Sequence, residues 1–271
     1  MKYIWNYYGG CSFDDHFSVS IYFTKDCNYR CSYCYQTDYN KKILNLKHFE
    51  LIIDQFIKKA KKENREIDFT LMGGELLYLN ENYQKEIFKI FKNISIKNDY
   101  KINIDISTNF YRSVEWFVRF FNYLENELKI NYNIIYTISV HEEYTTFEKQ
   151  LQKINDIINK IKLNKIKFSF YLLEKDFEFV NKYNHYFNDY IVDISFNEID
   201  HKSYENFKSN VICNSFIFNV LPDGTIKNAC SGEILENFLK INKLKLIKRI
   251  CPRKKCVCPA IDGLVKKEIK K

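Results

Sequence analysis

The chain has 271 residues, with 42 Lys and Arg against 34 Asp and Glu, for a formal net charge of +8. Its 46% apolar and 17% aromatic content exclude a disordered or low-complexity chain, and the length is ample to bury a core without disulfides. No apolar run approaches the roughly 20 residues of a membrane span, and Met1 to Asp26 lack the apolar stretch of an export signal, so a cytoplasmic protein is expected.

From Ser18 onward, short β-rich runs alternate with amphipathic helical stretches. The strands are expected at Ser18–Phe23, Ile67–Met72, Lys101–Ser107, Asn133–Val140, Lys165–Leu173 and Tyr190–Phe196. Helices are expected between them at 46–62, 81–93, 113–128, 146–161 and 177–187. Leu46, Phe49, Ile53, Phe56 and Ile57 have the three-and-four spacing of a buried helix stripe, as do Phe147, Leu151, Ile154, Ile158 and Ile161. Strict β/α alternation predicts a parallel sheet wound right-handedly, either a partial barrel or an open sheet. In both, ligands bind at the carboxyl ends of the strands.

After residue 200 the texture changes. Phe216–Leu221, Pro222-Asp223-Gly224 and Thr225–Ala229 read as a β-hairpin with a proline-led turn. A helix is expected over 233–248, then a Cys- and Pro-rich segment at 251–259. The chain therefore divides into 1–200 and a small appendage, 201–271. Its charge points first to a solvated basic surface. Only six of the cations are Arg, and the lysines are spread along helix faces, so a nucleic-acid partner stays open but is not favoured.

Nine cysteines fall at 11, 27, 31, 34, 213, 230, 251, 256 and 258, none between 35 and 212. An odd, clustered set in a chain without an export signal points to metal before disulfides. Cys27-Asn28-Tyr29-Arg30-Cys31-Ser32-Tyr33-Cys34 lies just after the first strand. Three thiolates so spaced can fold around one corner of a cubane iron–sulfur cluster and leave its fourth iron without a protein ligand. A zinc knuckle completed by His16 or His48, or unligated thiols, are the plainer alternatives.

The C-x3-C-x2-C spacing, with aromatic Tyr33 before the last cysteine, resembles the radical S-adenosylmethionine superfamily. Gly73-Gly74-Glu75 after the second strand resembles that family's glycine-glycine-glutamate motif, with Leu76 where proline is usual. Ser107-Thr108-Asn109 resembles its threonine-asparagine segment. The resemblance implies an α/β fold with a partial (β/α)6 TIM-like barrel. It implies a [4Fe–4S] cluster on Cys27, Cys31 and Cys34, whose open iron chelates S-adenosylmethionine. One electron passed into the sulfonium would then give a 5′-deoxyadenosyl radical that takes hydrogen from a substrate. Tyr33, Gly73, Gly74, Glu75, Ser107, Asn109 and Ser139 would line the cofactor. His141 would reach the substrate, or else be an ordinary loop histidine, and Arg112 is a candidate partner for the cofactor's carboxylate.

Cys213, Gly224, Cys230, Cys251, Cys256 and Cys258 resemble the auxiliary-cluster appendage of the same superfamily, in its short twitch or truncated SPASM form. Five residues separate Gly224 from Cys230 where four are usual. The resemblance implies a second [4Fe–4S] cluster on four of these five cysteines, and four-cysteine zinc is the alternative. A spare cysteine such as Cys11 could donate hydrogen to a substrate radical, or be a small buried apolar residue.

Such appendages imply an enzyme that modifies a peptide by epimerisation or crosslinking, with an external electron donor of the flavodoxin or ferredoxin type. A small-molecule substrate is also open. Seventeen residues precede the first strand, too few for a leader-peptide-binding domain. The alternatives are a radical S-adenosylmethionine enzyme acting on a nucleoside, tRNA or sugar, and a non-catalytic iron–sulfur or zinc protein.

Overall fold

Six strands, β1 (His16–Tyr22), β2 (Glu66–Met72), β3 (Asn103–Thr108), β4 (Asn133–Ser139), β5 (Ile166–Leu173) and β6 (Ile191–Asn197), lie side by side in chain order and all run parallel. The computed structural model describes residues 16–31, 34, 39–140, 144–173, 191–197, 212–213, 217–228, 234–237 and 249–250. Helices α1 (Leu46–Glu63), α2 (Glu81–Asn98), α3 (Val114–Asn122) and α4 (Phe147–Lys160) fill the first four crossovers. The helix expected at 177–187 lies outside the described residues.

Each helix starts on a side-chain cap. Asn45, Asn80, Ser113 and Thr146 accept N–H bonds from the first turns of α1, α2, α3 and α4. Asn64 and Asp99 close α1 and α2 in the left-handed conformation. The predicted 113–128 helix is α-helical only to Asn122, and then widens into a π turn over Tyr123–Glu127.

The strands alternate. Phe17, Val19, Ile21, Ile67, Phe69, Leu71, Ile104, Ile106, Ile134, Tyr136, Ile138, Phe168 and Phe170 are buried on one face. The helices pack there: Phe91 of α2 meets Phe69 at 5.2 Å, Phe121 of α3 meets Tyr136 at 5.0 Å, and Phe147 of α4 meets Phe170 at 4.6 Å. The other face carries Ser18, Ser20, Asp68, Asn103, Asp105, Ser107 and Ser139, all half-buried. Asn103 Nδ2 donates to Asp68 Oδ1 at 3.1 Å, and Thr137 Oγ1 to Asp105 Oδ1 at 2.6 Å, across neighbouring strands of this polar face. The result is an α/β fold with a mostly parallel sheet, in keeping with a partial TIM-like barrel.

The tail joins the same sheet. Besides β7 (Ile212–Cys213), it contains β8 (Ile217–Val220), β9 (Thr225–Asn228), β10 (Ile234–Asn237) and β11 (Arg249–Ile250). β8 runs parallel to β1 on the edge opposite β2, and β9 and β10 extend that side antiparallel. The proline-led turn forms as expected: Gly224 has φ 80, and its N–H reaches Leu221 O at 2.8 Å. β7 and β11 make a separate antiparallel pair, Arg249 opposite Cys213. One expectation is corrected. Residues 234–237, predicted to open a helix, are strand β10, because the edge of β9 offers them cross-strand bonds at Ile234, Glu236 and Asn237. Among the described residues no helix is long and apolar enough to cross a membrane.

Candidate active site at the cysteine loop

The chain leaves β1 through Phe23, fully buried against Phe49 and Tyr83, with ring centroids 5.0 and 6.3 Å away. The loop that follows is closed at its base. Thr24 bridges Ile43, and Leu44 N donates to Phe23 O at 2.9 Å. Within it, Cys27 N donates to Asp26 Oδ1 at 3.1 Å, Tyr29 N to Cys27 Sγ at 3.4 Å, and Cys34 N to Cys31 O at 3.1 Å. Arg30 Nη1 ties the loop to itself through Cys27 O at 2.6 Å and Tyr29 O at 2.8 Å, and its guanidinium lies 4.1 Å over the Tyr39 ring. Tyr144, which precedes α4, stacks on Tyr29 at 4.1 Å, and its hydroxyl accepts the Arg30 N–H at 3.1 Å.

The stem of this loop rests on the glycines after β2. Gly74 N donates to Thr24 O at 2.8 Å and Glu75 N to Asp26 O at 2.9 Å. A Cβ on Gly74 would fall 1.9 Å from Asp26 O, and one on Gly73, whose φ is +129, would fall 2.3 Å from Thr24 O. Only glycine permits that approach. Two backbone N–H groups of the glycine-glycine-glutamate segment are thus spent on the cysteine loop itself.

Glu75 is buried and works as a joint. Its Oε1 accepts Leu77 N and Thr108 Oγ1, each at 2.9 Å, and its Oε2 accepts Asn109 N at 2.6 Å. Burial pushes its carboxyl group up to about 7, against the pull of these donors and of Arg112. Arg112 itself donates from Nε to Leu77 O at 2.8 Å and from Nη2 to Leu79 O at 3.4 Å. It braces the short 3-10 turn Leu76–Tyr78, which is where its described bonds go.

Asn109 completes the arrangement. Its Nδ2 donates to Asn28 Oδ1 at 2.9 Å, so the end of β3 is tied directly to the cysteine motif. Its Oδ1 is buried without a hydrogen-bond partner among the described residues. The next residue, Phe110, stands at φ 53, left-handed despite its bulk, at a cost of about 1–3 kcal/mol. Ser107 and Ser139 lie half-buried toward the carboxyl ends of β3 and β4, on the polar face.

The structure therefore brings together Cys27, Cys31, Cys34, Gly73, Gly74, Glu75 and Asn109. Cys213 is placed only as a strand residue of β7. Cys11, Tyr33, His141, Cys230, Cys251, Cys256 and Cys258 lie outside the described residues. Sequence reading missed Asn28, Tyr29, Thr108, Tyr144, Gln150 and Lys153. The first three sit inside or beside quoted motifs and could have been found there, whereas the last two read as ordinary helix-surface residues.

The donor set suits a cluster with an open corner. Cys27, Cys31 and Cys34 are half-buried thiols on one short loop, none of them in a disulfide. Burial drives the Cys27 thiol up to about 11; the Tyr29 N–H lowers it, and the charges of Glu75, Cys31 and Cys34 raise it further. The thiol therefore keeps its proton near neutral pH, and iron that took the sulfur as a ligand would displace it. Among the described residues no three His, Cys, Asp or Glu side chains are grouped to hold one metal ion. Cysteines that each take a separate iron of a cluster need no such common point. The buried, unpartnered Asn109 Oδ1 offers an acceptor to a ligand beside them.

Comparison with known proteins agrees. Residues 21–173, more than half of the chain, match the Radical SAM superfamily. The structure resembles native anSMEcpe with bound AdoMet and Cp18Cys peptide (16% identity, TM-score 0.56) and the same protein with AdoMet and Kp18Cys peptide (15%, 0.54). It also resembles hexahistidine-tagged anSMEcpe with bound AdoMet (14%, 0.56). Each match covers 83% of this chain and 78% of the other. No curated protein matches it by sequence. With its three-cysteine loop seated on the glycines after β2, the chain belongs to the Radical SAM superfamily, whose members are enzymes that work with a [4Fe–4S] cluster and S-adenosylmethionine.

Proposed function

We propose that this enzyme cleaves S-adenosylmethionine reductively and abstracts hydrogen from a peptide, leading to epimerisation or a crosslink. The observation that carries the reading is the tie between Asn109 and Asn28, which sets an open acceptor at a strand end against the three-cysteine loop. When bound, the cluster and S-adenosylmethionine supply a 5′-deoxyadenosyl radical. Cys27, Cys31 and Cys34 would hold three irons. Tyr33, Gly73, Gly74, Glu75, Ser107, Asn109 and Ser139 would surround the cofactor, with His141 and Cys11 toward the substrate.

The peptide assignment is supported by the peptide complexes of the similar anSMEcpe structures and by the tail cysteines. Residues 1–200 form the barrel in this reading, and 201–271 an auxiliary unit of the twitch or SPASM type. Four of Cys213, Cys230, Cys251, Cys256 and Cys258 would hold a second [4Fe–4S] cluster; β11 ends one residue before Cys251 and pairs with the strand that carries Cys213. An external one-electron donor of the flavodoxin or ferredoxin type, in the cytoplasm, would supply the electron.

Anaerobic reconstitution should give about eight irons per chain if both clusters form, and about four if the tail binds zinc. Incubation with dithionite and S-adenosylmethionine should release 5′-deoxyadenosine, and Cys31→Ala should abolish the release. Cleavage by the variant at the wild-type rate would overturn the assignment of the loop.

A further inference from the structure

Phe110 is held in a conformation that a bulky residue avoids. Its ring is fully buried and stacked on Phe117 at 3.9 Å, so the side chain is fixed. Its N–H donates to Thr108 Oγ1 at 2.9 Å. Its carbonyl accepts Lys153 Nζ at 2.8 Å, and the preceding carbonyl, of Asn109, accepts Gln150 Nε2 at 3.2 Å. Gln150 and Lys153 are three residues apart on α4 and so share one helix face. Lys153 is half-buried, and burial lowers its pKa, so the lysine bears a desolvation cost for this bond.

We propose that Lys153 is a positioning residue for the cofactor site: it holds the left-handed turn at Phe110 so that the Asn109 side chain stays aimed at Asn28 of the cysteine loop. The inference rests on the reading of that loop given above. Without the ammonium, Phe110 relaxes toward an ordinary φ and its carbonyl swings away. Asn109 then cannot keep its N–H on Glu75 and its amide on Asn28 together.

Lys153→Met keeps the apolar stem and removes the donor, and Lys153→Arg restores a charged donor. In the metal-free full chain, hydrogen exchange at the Asn109 and Phe110 amides should quicken about tenfold in the Met variant and return toward wild type in the Arg variant. Exchange in the rest of α4 should stay unchanged. In the reconstituted enzyme, equilibrium dialysis should show S-adenosylmethionine bound about tenfold more weakly by the Met variant at unchanged iron content. KM for S-adenosylmethionine should rise similarly while kcat stays within about twofold. Unchanged exchange at both amides, or exchange raised equally across α4 and the sheet, would overturn the brace. Faster exchange with undiminished S-adenosylmethionine affinity would overturn its role in positioning. A wild-type chain that loads iron but never binds S-adenosylmethionine would instead sink the reading of the loop, leaving exchange alone to decide the brace.

Discussion

Glu75 and Asn109, 34 residues apart in sequence, are joined by a 2.6 Å hydrogen bond from the Asn109 backbone N–H to Glu75 Oε2. The bond locks the carboxyl end of β2 to that of β3, and it places a buried carboxylate at the centre of the site.

That carboxyl group has a pH signature. Folding raises it from the usual 4.5 to about 7 through burial. Between those values the folded chain holds a proton that the unfolded chain has lost, so its contribution to stability is full below 4.5 and is lost as pH rises through 7. The difference corresponds to about 3 kcal/mol. Glu75→Gln has no such proton to lose. Urea unfolding at pH 5 and pH 8 should show wild type losing up to about 3 kcal/mol more than the variant. A gap that stays flat with pH would count against a carboxyl group whose burial outweighs its donors.

Gly74→Ala should damage the cysteine loop more than the fold. The new Cβ would lie 1.9 Å from Asp26 O, a backbone atom that cannot turn aside. We expect a loss of about 2 kcal/mol or more, with the loop stem displaced. Helical circular dichroism should persist while iron bound at the loop after reconstitution falls well below wild type. Full iron loading in a normally folded variant would contradict the close approach.

Tyr144 is exposed yet covers the loop, stacked on Tyr29 at 4.1 Å. Tyr144→Ala should cost about 1 kcal/mol, felt locally. In the metal-free protein, Cys27 should react several-fold faster with a thiol reagent, identified by mass spectrometry. Tyr144→Phe keeps the stack, loses only the acceptor for the Arg30 N–H, and should fall between. Equal reactivity in all three proteins would show that the stack shields nothing.

Phe218 of β8 meets Phe17 of β1 at 6.3 Å and Phe56 of α1 at 5.3 Å. If the tail hairpin shares the main core, Phe218→Ala should destabilise the whole chain by about 3–5 kcal/mol in a single transition. A separate early transition for the tail, with the main one unmoved, would argue against a common core.

The barrel was legible because its strands alternate and its helices carry continuous stripes, so every strand from β1 to β6 falls within two residues of its expected limits. The failures have physical causes. Ile234 and Leu235, followed by Phe238 and Leu239, mimic a helix stripe, and it is the partner strand β9 that decides otherwise at 234–237. The pairing of β8 with β1 joins positions about 200 residues apart, which no local pattern encodes. In the site, the motifs located the cysteines, the glycines and Asn109. The joint at Glu75 was hidden, because its meaning depends on the adjacency of β2 and β3. Gln150 and Lys153 were hidden because a helix face shows its chemistry only once its neighbour is known.

β1 has β2 along one edge and β8 along the other, and its last residues run into the cysteine loop. This strand therefore gains its second neighbour only when residues 217–220 have left the ribosome, long after the loop itself has emerged. Until then a nascent chain carries the loop on a half-paired edge. The topology thus leaves the strand that feeds the loop at an open sheet edge until the hairpin has been made.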